Sequence, residues 1–184
     1  LAEQQDRGES VKAMTVGVAV LLPKLAAENK IHGIISLGGG GGTAIGTAAM
    51  RALPVGFPKL MVSTLAASEN VPKYVGVKDV VMMPSIVDVA GLNRVSRQIF
   101  ANAAGAICGM AGTKTPDHED KPIIAASMFG NTTDCIEQAK VILEDAGFEV
   151  LVFHATGTGG RAMEGLIEAG LVAGALDLTT TEWA

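Results

Sequence analysis

The sequence predicts an α/β protein with parallel sheets flanked by helices, and three observations carry that prediction. The first is the stretch Ile31 to Met50, IHGIISLGGGGGTAIGTAAM, where a short apolar run ends in five glycines, Gly38 to Gly42, before Thr43 and an Ala-rich helical segment. The second is the alternation after Pro122, which reads strand, helix, strand, helix, strand and so implies parallel pairing with right-handed crossovers. The third is composition: 48% hydrophobic residues, only 4% aromatics and 23 glycines favour an aliphatic core with tight loops over an aromatic-rich sandwich.

The elements follow in order. Ser10 is a plausible N-cap, and Val11, Met14, Val18, Leu21, Leu22 and Leu25 recur at helical spacing, with Pro23 expected to kink or shorten the helix. Ile31 to Leu37 reads as a buried strand, Gly38 to Gly42 as a loop and Ala44 to Leu53 as a short helix. Pro54, Gly56 and Pro58 mark the turn to a second strand, Lys59 to Thr64. Ala66 to Gly76 has no clear period and reads as a loop, and Val80 to Met83 is a third apolar run. Pro84 to Gly91 leads into a long helix with an apolar stripe of Leu92, Val95, Ile99, Ala103, Ala106 and Met110, where Asp88 is the expected cap. The polar, breaker-rich stretch GTKTPDHEDK is the best linker. The first domain is therefore 1–113, the linker 114–121 and the second domain 122–184.

In the second domain, Pro122 to Met128 is a strand and Thr133 to Ala146 a helix stopped by Gly147. Phe148 to Phe153 is a strand, Gly159 to Ala169 a helix stopped by Gly170, and Val172 to Leu178 a strand. There is an internal echo between ISLGGGGGTAIGTAAMRALP and VFHATGTGGRAMEGLIEAG, read as equivalent parts of two related halves.

Composition narrows the function classes. A net charge of −5 leaves no electrostatic footprint for nucleic acid or an anionic membrane. Cys108 and Cys135 match no metal-ligand spacing, so no metal site is expected, and Cys108 is expected to be a buried small side chain. No apolar run is expected to reach membrane-span length, and the polar opening LAEQQDRGES carries no signal peptide, which makes a cytoplasmic location the default. The first residue is Leu, so a fragment of a longer protein is also expected.

Ligands of open parallel sheets sit at the carboxyl ends of the strands. SLGGGGGT, ASMFGNTT, FHATGTGGR and DLTTTE are therefore expected on ligand-bearing edges. Backbone N–H groups of a glycine run and the positive end of the following helix can converge on an anion. Gly38, Gly39, Gly40, Gly41, Gly42 and Thr43 are one candidate phosphate site. Thr156, Gly157, Gly159, Gly160 and Arg161 form a second, where Arg161 adds a planar donor fork and Glu164 is its alternative partner at i,i+3. Thr132 and Thr133 can cap a helix and contact a ligand, and Thr179 and Thr180 supply hydroxyls at a strand end. His154 and Glu182 are candidate acid/base groups. Asp88 can also reach a ribose or a metal. Walker A fails because Thr43-Ala44 stands where Lys is needed, and a GxGxxG trace through Gly38 and Gly40 ends on Ala44. No nucleophile elbow, HExxH or CxxC is found.

Taken together, SLGGGGGT, ALPVGFPKLMVST, YVG, SIVDVAGLN, MFGNTT, VLVFHATGTGGRAMEGL and LDLTTTE resemble the ATP-binding family of the tomato mosaic virus resistance protein and its uncharacterised bacterial and fungal relatives. The resemblance covers nearly the whole chain in the same order, and FHATGTGGRAME and DLTTTE are its most specific parts. It implies two Rossmann-like subdomains, both incomplete in this chain, with ATP, with or without Mg²⁺, as ligand. It also implies homodimerisation, and in some longer relatives a C-terminal barrel domain. The chain departs from the family pattern at Gly40, at Ala67-Ser68, at Val77-Lys78 and at Asp134. Those positions fall mostly in ligand loops and leave open another phosphate compound as ligand. The expected function is nucleotide binding, with no nucleic-acid or membrane partner. The alternatives are an enzyme acting on ATP or another phosphorylated small molecule, and a regulatory protein whose contacts depend on nucleotide.

Overall fold

The computed structural model describes residues 6–116 and 119–179. The chain is an α/β protein that divides into two compact units, Leu1–Thr115 and Pro116–Ala184, each with its own three-stranded parallel sheet flanked by helices.

The first unit runs α1 (Arg7–Ala27), β1 (Ile34–Gly38), α2 (Gly40–Ala52), β2 (Lys59–Ser63), α3 (Val71–Val75), β3 (Val81–Pro84) and α4 (Arg94–Gly112). The strand order is β1-β2-β3, with Gly38 opposite Ser63 and Ser63 opposite Pro84. Every residue of the central strand β2 is buried, as a parallel strand covered on both faces requires. Leu60 and Val62 face α4, packing on Ala103 and Ile107. On the opposite face α2 lies so close that a Cβ on Gly46 would stand 2.7 Å from the Ser36 Cβ and 3.1 Å from the Met61 sulfur. Only glycine allows that approach.

Several local expectations change. Asp6, not Ser10, caps α1, its carboxylate accepting from the N–H groups of Gly8 and Glu9. Pro23 neither shortens nor ends α1. It removes one N–H from a 21-residue helix, and the stop comes at Asn29, left-handed at φ 54°, where the N–H groups of Asn29 and Lys30 close onto the carbonyls of Ala26 and Leu25. Uninterrupted, α1 is long and apolar enough to cross a membrane by length and composition, which corrects the expectation that no run reaches that length. Its Val11 side chain leans on the first turn of α2, while Met14, Val16, Val20 and Leu21 are exposed.

The stretch expected to be a loop before β3 contains the short helix α3. Asn93 caps α4 instead of Asp88, in a reciprocal box with Ser96. Leu92 and Val95 are exposed and Ser96 is fully buried, so the inward stripe starts a turn later than the apolar spacing implied. Cys108 is exposed on the outer side of α4 rather than buried.

The second unit runs β4 (Ile123–Met128), a 3-10 turn (Gly130–Thr132), α5 (Thr133–Asp145), β5 (Glu149–His154), α6 (Thr158–Glu168) and β6 (Gly174–Asp177). Its core is Ala126, Ile136 and Val150 with Ile124, Met128, Leu143 and Leu176 around them. Gly147 (φ 91°) and Gly170 (φ 71°) end α5 and α6 as expected, each passing its N–H and that of the next residue back to carbonyls of the last turn. The strand order is β5-β4-β6, all parallel. The chain leaves β4 to one side, then crosses back over it. The direction of winding thus reverses between β4 and β6, and the crevice at their carboxyl ends is where such sheets receive ligands.

Candidate functional site

Each unit places its expected residues at the carboxyl edge of its own sheet. In the first unit the glycine run is not a loop. Gly38 ends β1, Gly39 is the N-cap, and Gly40, Gly41 and Gly42 are the first turn of α2. None of the five has a positive φ, so the run is not there for left-handed turns. One of its glycines is explained by packing. A Cβ on Gly38 would stand 2.9 Å from the Gly42 Cα, whereas one on Gly42 would meet the Leu37 carbonyl oxygen at an ordinary contact distance of 3.4 Å. Gly40 is different: it is exposed, and a Cβ there meets nothing within 4 Å. No side chain caps the helix, and its first intrahelical bond runs from the Thr43 N–H to the Gly39 carbonyl. The N–H groups of Gly40, Gly41 and Gly42 therefore lie at the positive helix end without a capping side chain.

Thr43 does not join them. It is fully buried, with its hydroxyl 2.8 Å from the Gly39 carbonyl and 2.7 Å from the Ser63 hydroxyl, which in turn accepts the Leu65 N–H. Satisfying all three bonds at once has Thr43 donating to Gly39 and accepting from Ser63. Its side chain ties α2 to β2, with both of its hydroxyl's hydrogen bonds made inside the protein. Thr43→Val is expected to cost about 1–3 kcal/mol in chemical denaturation, because the Ser63 hydroxyl and the Gly39 carbonyl lose a buried partner. Ligand affinity of the folded variant should stay at the parent value, and a selective loss of affinity without loss of stability would return Thr43 to the binding site.

Beside the glycine turn lies a cleft of about 380 Å³ lined by Ser63, Thr64, Ala67 and the segment 84–88. Thr64 joins the two: its N–H donates to the Gly38 carbonyl at 3.3 Å, and its hydroxyl is 3.6 Å from where a Gly39 Cβ would sit. Asp88, released from capping, is exposed on this cleft. The sequence named Asp88 and read Pro84 to Gly91 as a loop, but gave Thr64 and residues 84–87 no role in a site.

In the second unit the crevice between β4 and β6 holds a hydroxyl network. The Ser127 hydroxyl donates to Asp177 Oδ1 at 2.5 Å and accepts the Thr179 N–H at 3.0 Å. The Thr179 hydroxyl donates to the Ser127 carbonyl at 3.3 Å and lies 2.7 Å from the Thr132 hydroxyl. Thr132 also receives the Phe129 N–H, so it braces the loop after β4, and although it is the N-cap residue of α5 its side chain makes no capping bond. Thr133 opens α5, half-buried. A cavity of about 200 Å³ adjoins the network, with Asp177 and Glu164 carboxylates and Gly160 at its wall. Sequence reading placed Ser127 and Asp177 in the edge stretches ASMFGNTT and DLTTTE but gave neither a role. They are 50 residues apart, and only the β4–β6 register puts them opposite each other.

The HATGTGGR turn follows β5 as expected. Gly157 is the N-cap at φ 84°, and Thr156 donates its N–H to the His154 carbonyl. Gly159 is there for close approach, since a Cβ would overlap the His154 carbonyl oxygen. Arg161 is exposed and its Nε donates back to the Gly157 carbonyl at 3.0 Å. It makes no ion pair with Glu164 among the described residues, so its terminal nitrogens are not held by the expected i,i+3 partner. His154 is exposed, edge-on to Phe129 with ring centroids 6.5 Å apart, and has no carboxylate within ion-pair distance among the described residues. Thr180 and Glu182 lie outside the described residues.

Comparison with known proteins accords with this two-part construction. Residues 1–116 match the N-terminal domain, and residues 121–184 the C-terminal domain, of the uncharacterised protein family UPF0261. The chain is 53% identical over 184 residues to a UPF0261 protein of Clostridium tetani, covering 100% of this chain and 45% of that protein. It is 51% identical over 177 residues to one of Mesorhizobium japonicum, covering 96% and 43%. It is also 41% identical over 184 residues to the ToMV susceptible protein tm-1(GCR26) of Solanum lycopersicum, covering 97% and 24%. The chain thus spans less than half the length of these relatives, and it belongs to the UPF0261 family.

Proposed function

We propose that this UPF0261 chain binds a phosphate-bearing small molecule, with a nucleotide such as ATP, with or without Mg²⁺, as the ligand. The observation that carries the reading is the start of α2. Three successive glycine N–H groups open a helix at the carboxyl edge of a parallel sheet, without a side-chain cap, beside a hydroxyl-lined cleft. Gly40 in particular leaves open the space that a phosphate oxygen would fill. The Gly157–Arg161 turn supports a second anion contact within its own unit, where the guanidinium is anchored by Nε and offers its terminal nitrogens. The sequence resemblance to an ATP-binding family points to the same ligand class.

The reading is tested by thermal shift with ATP on the parent and on Gly40→Asp. The substitution places a carboxylate where the anion would sit. An acidic residue in a helix's first turn is stabilising by about 0.3–1 kcal/mol, so the variant should melt no lower than the parent. The parent's melting temperature should rise by roughly 5–10 °C at about one hundred times the dissociation constant. Gly40→Asp should lose that rise. An undiminished rise in the variant removes the start of α2 as the site.

A further inference from the structure

Among the described residues, two that are not glycine have positive φ. Asn29 is the helix stop already described, where Asn is commonly found. The other is Ile86, at φ 64°, and a β-branched side chain in that region is a steric outlier. It is also 76% exposed, so no core contact rewards the strain.

The conformation is held from both sides. Ile86 is the middle of a three-residue turn in which the Val87 N–H donates to the Ser85 carbonyl at 2.7 Å, a tight turn that is strained when its central φ is positive. The Ser85 hydroxyl donates in return to the Val87 carbonyl, also at 2.7 Å. Ser85 is itself buried, and its N–H is anchored to the Ser63 carbonyl at the end of β2. A strained residue persists only where its surroundings over-determine it, and such residues cluster at ligand sites.

The turn projects an aliphatic side chain at the wall of the cleft beside the glycine turn. Ala67, Pro84 and Val87 continue that wall as an apolar surface, while Ser63, Thr64, Ser85 and Asp88 are its polar residues, with the Ser63 hydroxyl bonded to Thr43 and the Ser85 hydroxyl to the Val87 carbonyl. The cleft therefore offers an apolar surface suited to a flat ring and an acceptor suited to sugar hydroxyls. Its Asp88 charge disfavours a phosphate there and leaves the phosphate to the glycine end, which Thr64 adjoins.

We infer that Ile86 is the apolar jaw of a nucleobase subsite in this cleft, held in its strained conformation by the Ser85 clamp so that it can pack on the ring. The assignment rests on the phosphate-ligand reading above and deepens it. The test is calorimetric titration of the parent, Ile86→Gly and Ile86→Asn with ADP and, separately, with pyrophosphate, alongside their melting temperatures. Both replacements tolerate a left-handed backbone. Ile86→Gly should melt about 2–4 °C above the parent as strain is relieved. Both variants should bind pyrophosphate as the parent does and ADP about tenfold more weakly. Undiminished ADP binding by both variants, or a parent that binds ADP no more tightly than pyrophosphate, overturns the subsite and leaves the phosphate reading standing. Melting of both variants below the parent also overturns it, because no strain was then stored. A parent that binds neither probe overturns both readings.

Discussion

Gly159→Ala is expected to destabilise the second unit by about 3 kcal/mol, the upper end of what a buried steric insertion costs, and to lower its melting temperature by roughly 12–24 °C. Gly159 is the second residue of α6, one turn beyond a sharp reversal that begins at His154 and has Gly157 at φ 84° as its N-cap. The chain folds back so tightly that the added methyl would overlap the His154 carbonyl oxygen and lie 2.8 Å from the carbonyl carbon. Both are backbone atoms at the end of a paired strand, and they have no rotamer with which to give way. The control is Gly40→Ala, where the methyl enters open space and the gain in helix propensity stabilises by up to about 1 kcal/mol. Circular-dichroism melts of the two variants check the pair, and equal melting temperatures would mean that α6 does not approach β5 as closely as described. The prediction also affects how binding data are read. Loss of anion binding in a Gly159 variant reports a displaced helix before it reports a lost contact.

Asp79→Ala should cost about 3 kcal/mol through the charge it strands. Lys59 is fully buried at the start of β2, and its ammonium donates to the Pro54 carbonyl at 2.6 Å and to Asp79 Oδ1 at 2.7 Å. The other Asp79 oxygen accepts the Gly56 N–H at 2.8 Å, so the carboxylate also pins the turn that leads into the strand. Asp79 is 39% exposed, and water can partly replace it, which keeps the cost at the low end for a broken buried pair. Lys59→Met removes the charge while keeping an unbranched stem in the same space, and should cost less than about 1.5 kcal/mol. The double variant should then be more stable than Asp79→Ala alone. Urea denaturation of the three variants measures this, and additive losses would show that Lys59 and Asp79 do not act as a pair. The pair is at the amino end of β2, opposite the cleft, so ligand binding should survive in every variant that folds.

Much of the architecture was legible from local patterns. The runs that became β1, β2, β4 and β5 are short, aliphatic and bounded by glycine or proline. Gly147 and Gly170 stop their helices because a left-handed residue is needed at just those points. The ends were less legible. Whether Gly40 belongs to a loop or a helix depends on where the strand before it stops pairing, and that is settled by Gly38 lying opposite Ser63. Pro23 read as a kink or an early end because propensity counts its lost bond. The energy of a 21-residue helix leaning on α2 was not visible along the chain.

The candidate site divided in the same way. The sequence located both glycine turns and the edges that carry them, since a strand followed by glycines and a helix is a local pattern. It did not show that Thr43 faces inward, that Ser127 meets Asp177, or that Lys59 needs Asp79. Each of those contacts joins residues 20 or more apart and exists only through strand pairing or helix packing.

By itself, then, the sequence determined the α/β class, the strand–glycine–helix order in each unit and the glycine stops of α5 and α6, because each depends on neighbours within a few residues. Only the tertiary structure decided which glycines serve packing and which stand in open space, and which hydroxyls tie one element to another. It alone showed that Ile86 is held in a conformation its own side chain disfavours. The physical reason is that burial and strain are set by atoms brought together across strands and helices, and their sequence separation carries no record of it.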